Sequence, residues 1–184
     1  MKRHLIEDNK EFNYRIYNSS VIVEHHAELI RIAELAYQRC LANLHAESAT
    51  DSYNRYNAFT MFGCNPHYYD LYRDLVAVIK DFVPATERMW FESWINWWTP
   101  RDVLGWHDHF FEYHGYISID PKSTFTQFHN YLIENKIGNI YIGPGHRQHR
   151  VLVDKRYTGS RLTLGFDINV EPVETENLSF IPIL

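Results

Sequence analysis

Past residue 85 the helical periods of this chain stop, and short runs of strand character follow one another. They lie near residues 88–98, 104–109, 113–119, 124–128, 138–142, 149–153 and 160–168. Asp120-Pro121, Gly138-Asn139, Gly143-Pro144-Gly145 and Thr158-Gly159 punctuate them, and each pair suits a turn. Strands this short at such spacing close into a sandwich or barrel. The run at 161–168 is the clearest. Leu162, Leu164, Phe166 and Ile168 alternate with Arg161, Thr163, Gly165 and Asp167. A period of two sends the apolar set to a core and the other set to the opposite face. In a half-exposed sheet that face is wet, whereas in a barrel with a ligand cavity it points inward. Residues 176–184 have room for one more strand.

The N-terminal half has a different period. The first twenty residues are polar and mixed. Over 22–45, Leu29, Ile30, Ala33, Ala36, Tyr37, Cys40, Leu41 and Leu44 recur at three and four, which predicts a helix with one apolar face. Residues 46–63 show no period and read as loop. Asn65-Pro66 is a helix start, with Asn as the cap and Pro in the first turn. Tyr68, Leu71, Tyr72, Leu75, Val78, Ile79 and Phe82 continue it as a second stripe, and Pro84 ends it. These stripes read as packing surfaces.

A length of 184 residues suits one domain with a proper core, and 45% apolar residues exclude a disordered chain. Aromatic residues make up 16%, which fits a sheet-rich core or a hydrophobic cleft. A net charge of −5 and a pI of about 6.1 argue against a nucleic-acid partner. Cys40 and Cys64 have no metal-binding spacing and read as reduced thiols of a cytoplasmic protein. No apolar run follows Met1-Lys2-Arg3, so no signal peptide is expected, and no stretch is long enough to span a bilayer.

The histidines carry the chemistry. There are 11, and their placement matters more than their number. In the run Trp106-His107-Asp108-His109, period two puts His107 and His109 on one face, near enough to share a metal, with Asp108 turned away. Later, His149 opens an alternating strand with Val151 and Val153. His146 competes with it, but sits in the Gly145 turn. His25, His26, His114 and His129 match no motif and read as surface or packing residues. The run Trp94-Ile95-Asn96-Trp97-Trp98 reads as core; its functional alternative is an aromatic wall with Asn96 and Trp98 as substrate contacts.

The order His107-Asp108-His109, then His149-Arg150-Val151, then Gly159-Ser160-Arg161-Leu162-Thr163 resembles the iron(II)- and 2-oxoglutarate-dependent oxygenases. Gly138-Asn139-Ile140-Tyr141-Ile142-Gly143-Pro144 looks like the strand and turn before that family's distal His. The resemblance covers about Trp94 to Val170. It implies a mainly β fold with α, a double-stranded β-helix (jelly-roll) barrel buttressed by N-terminal helices. It also implies one domain over 1–184, with a helical part at 1–85 and a jelly-roll core with the metal site at 86–184. By the resemblance, Fe(II) is the metal and 2-oxoglutarate the co-substrate. Arg161 binds the far carboxylate with Thr163 as hydroxyl partner, and Tyr116 or Tyr141 adds a phenol contact. A guanidinium fork matches a carboxylate. The implied reaction uses O₂ to hydroxylate a C–H bond of a small-molecule or peptide substrate, releasing succinate and CO₂.

The chain departs from the family at one position. The family's carboxylate, two residues after the first His, is His109 here. The third ligand is therefore His109 in a three-His variant, Asp108 if a bulge turns it inward, or a residue such as Glu112. A neutral third ligand leaves the site one unit more positive. Two other readings stay open: a cupin-like three-His iron dioxygenase that uses no 2-oxoglutarate, and a jelly-roll that binds a ligand without turnover.

Overall fold

The computed structural model describes residues 3–44, 56–62, 65–84, 88–102, 104–170 and 179–183. Cys64 lies outside them; Cys40 is a buried free thiol with Met61 Sδ at 3.2 Å. Two strands open the chain, β1 (Arg3–Asn9) and β2 (Tyr14–Ser19), paired as an antiparallel hairpin. The N-terminal part is thus not wholly helical. Its one sequence signal is Tyr14-Arg15-Ile16, where Tyr14 and Ile16 are buried and Arg15 is not. Four helices follow: α1 (Ser20–Glu24), α2 (His26–Leu44), α3 (Ala58–Met61) and α4 (Pro66–Phe82). The expected helix over 22–45 is split between α1 and α2, and α3 lies in the stretch read as loop. The Asn65 side chain caps α4 by accepting from the His67 and Tyr68 amides at 3.1 Å.

The remaining strands are β3 (Met89–Trp98), β4 (Tyr113–Asp120), β5 (Thr124–Phe128), β6 (Leu132–Glu134), β7 (Asn139–Pro144), β8 (His149–Val153), β9 (Arg161–Asn169) and β10 (Ile181–Ile183). They build a seven-stranded sheet, β1-β2-β7-β4-β9-β3-β10, and a three-stranded sheet, β6-β5-β8. Every pairing is antiparallel. The two sheets form a jelly-roll, a double-stranded β-helix, and the helices cover the outer face of the larger sheet. No described helix is long and apolar enough to cross a membrane.

Both faces of β9 are buried, so its two residue sets serve different cores. Leu162, Leu164, Phe166 and Ile168 join Ile117 and Ile119 of β4, Ile140 and Ile142 of β7, and the helical stripes. Leu29 and Ala33 of α2, and Leu71, Leu75, Val78 and Ile79 of α4, are fully buried there. Each large apolar side chain so buried is worth roughly 1.5–3 kcal/mol. On the inner face, Tyr14, Ile16, Tyr116, Phe128, Ile133 and Tyr141 pack the two sheets together. Beside this second cluster the space between the sheets opens into a cavity of about 190 Å³.

Candidate metal centre and anion pocket

Strand pairing decides which side chains meet in that cavity. On β9 the inward set is Arg161, Thr163, Gly165 and Asp167. Across β3, Trp98 faces Arg161, Asn96 faces Thr163, Trp94 faces Gly165 and Glu92 faces Asp167. Across β4, Ser118 faces Thr163, Tyr116 faces Gly165 and His114 faces Asp167. A Cβ on Gly165 would lie 2.3 Å from Cε2 of Trp94, so only glycine lets that indole lie across the strand.

His107, His109 and His149 come together, each offering a ligand atom within 4.8 Å of the others. The segment 104–109 does not form the expected regular strand. His107 makes a single antiparallel bridge with His149, through backbone bonds of 3.0 and 2.8 Å. A regular ladder would carry His109 opposite Arg147, but its amide donates instead to the Gly145 carbonyl at 3.0 Å. Gly145 allows this approach, since a Cβ there would sit 2.0 Å from the Phe111 carbonyl oxygen. The segment bends around the turn, and both histidines still face the cavity.

Hydrogen bonds fix the orientation of each imidazole. His107 Nδ1 lies 2.9 Å from the Gly105 carbonyl oxygen, and His149 Nδ1 lies 3.0 Å from that of Arg147. His109 Nδ1 lies 3.0 Å from Asp167 Oδ2. Carbonyl and ionised carboxylate oxygens only accept, so each Nδ1 carries a proton and each Nε2 is the nitrogen left to face the cavity. His109 Nε2 is buried and has no hydrogen-bond partner among the described residues. Such an atom normally finds a partner, and here two further bare imidazole nitrogens lie beside it.

Burial holds His149 neutral, pushing its pKa down to about 2 with help from the neighbouring His114 and His107. It likewise lowers the His107 pKa. Neutral imidazoles are the metal-binding form.

His114, read from the sequence as a packing or surface residue, lines the same cavity. Its ring stacks on that of His109, with centroids 3.6 Å apart and planes at 10°. Its Nδ1 lies 2.9 Å from the other oxygen of Asp167. His109, His114 and Asp167 therefore form a second cluster of potential ligands behind the first. Asp167 is fully buried; burial raises its pKa, but the bonds from His109 and His114 outweigh that and hold it below the usual value. Burial lowers the His114 pKa to about 4, with the neighbouring His109 acting in the same direction. Asp108 is exposed and its carboxylate accepts from Gln148 at 3.4 Å; neither it nor the exposed Glu112 belongs to either cluster. His146 is exposed on the turn. His129 stacks on Trp106 at 4.5 Å, His25 stacks on His67 at 3.6 Å, and His26 Nε2 lies 2.9 Å from the Ile119 carbonyl oxygen.

Arg161 and Thr163 also line the cavity. Arg161 is only 5% exposed, yet it has no carboxylate within ion-pair distance among the described residues. Its guanidinium lies over Trp98 at 5.7 Å, and burial lowers its pKa against the opposing pull of Tyr157 and Asp102. Thr163 Oγ1 accepts from Asn96 Nδ2 at 3.3 Å, and Asn96 Oδ1 accepts from the Trp94 indole at 3.1 Å. The Tyr116 phenol is buried without a hydrogen-bond partner among the described residues, and the nearby Thr126 hydroxyl donates to Asn135 at 3.1 Å. Tyr141 lies elsewhere: it stacks behind Tyr116 at 5.1 Å, and its hydroxyl meets that of Tyr131 at 3.3 Å. Asn96 lines the cavity, whereas Trp98 backs Arg161.

No protein-family model and no curated protein matches the chain. Solved structures do. The non-heme alpha ketoglutarate dependent carbocyclase SnoK from nogalamycin biosynthesis aligns over 96% of both chains, with a TM-score of 0.61 and 11% identity. A 2OG-Fe(II) oxygenase family oxidoreductase from Burkholderia pseudomallei aligns over 61% of this chain and 63% of its own, with a TM-score of 0.48 and 11% identity. A cupin-2 domain protein from Shewanella frigidimarina aligns over 52% of this chain and 90% of its own, with a TM-score of 0.34 and 12% identity. The chain therefore shares the jelly-roll fold of the carbocyclase SnoK along nearly its whole length.

Proposed function

We propose that this protein is a non-haem Fe(II)- and 2-oxoglutarate-dependent oxygenase. The carrying observation is a buried Arg161 without a carboxylate partner among the described residues, in the same cavity as three converging imidazoles. Removing a guanidinium from water costs several kcal/mol unless an anion meets it. An anion that reaches both Arg161 and a metal at the histidines needs an acidic group at each end, as a dicarboxylate such as 2-oxoglutarate has.

The donor set fits Fe(II), since imidazole is a good iron ligand and the buried His109 Nε2 has no other partner among the described residues. In this reading His107, His109 and His149 hold the metal through Nε2. With both groups bound, O₂ oxidises 2-oxoglutarate to succinate and CO₂ and delivers one oxygen atom to a substrate C–H bond. The protein's own residues bind and orient. Arg161 and Thr163 take the far carboxylate, with Tyr116 as a further hydroxyl donor. Asn96 holds Thr163 in place, and the Trp94 and Val151 walls exclude water from the reacting end. The substrate is a small molecule or a peptide.

Anaerobically purified protein should bind 2-oxoglutarate only when loaded with Fe(II). It should release succinate under O₂ in the presence of substrate, and lose both properties on His149→Ala. Metal-loaded protein that does not bind 2-oxoglutarate would refute the assignment. One observation favours a second reading: the all-nitrogen donor set suits a cupin-like dioxygenase that needs no oxo acid. That enzyme would consume O₂ with substrate and Fe(II) alone, and Arg161→Leu would leave its rate unchanged.

A further inference from the structure

We infer that Asp167 is a positioning residue, whose carboxylate fixes both His109 and His114 with Nδ1 protonated and supplies, from behind the imidazoles, the negative charge that His107, His109 and His149 lack. The inference rests on the metal site proposed above.

Each oxygen of Asp167 accepts from one imidazole, at 3.0 Å from His109 and 2.9 Å from His114. The two rings are nearly parallel, and the Trp94 indole stacks against them with centroids at 5.7 and 6.1 Å. A carboxylate with two fixed donors and no exposure cannot swing away. His109 is therefore locked in rotation as well as in tautomer, with Nε2 aimed at His107 and His149. A His bound to a metal is made a stronger donor by an anionic partner on its other nitrogen. A His-X-Asp site carries its charge on a ligand. This chain has His109 at that position and the carboxylate on β9, brought there by the pairing of His114 with Asp167. His114 satisfies the second oxygen and takes no part in the cluster of His107, His109 and His149.

The experiment uses the full chain, with Co(II) as an anaerobic probe read by its visible bands and by competition with a chelating dye. Asp167→Asn is close to isosteric, but its amide presents a donor to one of the two Nδ1–H groups and carries no charge. It should weaken Co(II) binding about 10- to 100-fold and alter the visible bands. His114→Asn keeps a donor toward Asp167 and should leave the affinity within about threefold, as expected for a residue outside the ligand set. Unchanged affinity in Asp167→Asn overturns the inference. A loss in His114→Asn as large as that in His107→Ala also overturns it, because His114 is then itself a ligand.

Should Asp167→Asn fail to fold, long-range ¹H–¹⁵N spectra of the metal-free wild-type protein decide the question. They should show Nδ1–H on both His109 and His114; a bare Nδ1 on His109 overturns the inference. The oxygenase assignment fails separately. Wild-type protein that passes these tests but never forms succinate loses that assignment and keeps the positioning role. Protein that turns over, with Asp167→Asn binding Co(II) as the wild type does, gives the reverse.

Discussion

Acidifying the metal-free protein from pH 7.5 to 5.5 should strip away a stability to which the buried histidines contribute. Burial pushes the pKa of His114 down to about 4 and that of His149 down to about 2, against about 6.5 in an unfolded chain. A depressed imidazole pKa means that the unfolded chain binds a proton that the folded one refuses. Stability is therefore present in full above about pH 6.5 and lost as pH falls below it. Over this interval each such histidine costs about 1.4 kcal/mol, and the pair about 3 kcal/mol. The magnitude does not depend on how far below about 4.5 each pKa is depressed, since any such folded-state value leaves the imidazole essentially neutral at pH 5.5. The lowered pKa of His107 acts with the same sign. For a domain of this length, about 3 kcal/mol lowers the midpoint by roughly 6–12 °C. The assay is thermal unfolding by circular dichroism in the presence of a chelator, for the wild type and His149→Ala. The variant has lost one of the two strongly depressed groups, so its midpoint should move about half as far. A midpoint that stays level between the two pH values, or an undiminished shift in His149→Ala, would refute the reasoning. Saturating Co(II) should recover much of the loss at pH 5.5, because the metal binds only the folded, deprotonated cluster.

Other substitutions separate the anion pocket, the site wall and the scaffold. Arg161→Leu removes the buried cation and should weaken 2-oxoglutarate binding by about 2–5 kcal/mol, roughly 30-fold or more, with Co(II) affinity unchanged; an anaerobic titration of metal-loaded protein measures both. Gly165→Ala places a Cβ 2.3 Å from the Trp94 indole. It should cost about 1–3 kcal/mol in denaturant unfolding and change the near-ultraviolet tryptophan signal. Asn65→Ala removes the cap of α4, and should cost about 1 kcal/mol in the same assay while leaving metal binding intact.

Much of this arrangement was legible locally. The stripes on α2 and α4, the Asn65-Pro66 start and the alternation on β9 are read within one segment, because each depends on a period or a cap. The short interval between His107 and His109 is readable in the same way. The N-terminal hairpin was not legible, because β1 is almost wholly exposed and Leu5 and Ile6 both face solvent, so no alternation marks it. His114 and Asp167 were missed for a different reason. Asp167 lies in the same alternating set as Arg161 and Thr163, and His114 lies two residues before Tyr116. What joins them is the register of β4 against β9, a long-range fact that neither segment carries. The segment 104–109 misled in the opposite sense: its residue types suit a strand, but the close approach of Gly145 to Phe111 diverts the pairing after one bridge.

The register that hides the second cluster from the sequence also binds the site to the core. Seen from the helices, β9 is a row of Leu162, Leu164, Phe166 and Ile168; seen from the cavity, it is a row of Arg161, Thr163, Gly165 and Asp167. A slip of one residue against β3 or β4 would put Arg161 and Asp167 among the apolar side chains under the helices and turn four large apolar residues into the cavity. Both outcomes bury unpaired charge or lose core area, so the register is specified from both faces at once. The pairings of His114 with Asp167, Trp94 with Gly165 and Asn96 with Thr163 then follow without further constraint. The geometry around His109 is thereby held by the same hydrophobic packing that holds the sheet to its helices, and loosening that packing should loosen the metal site with it.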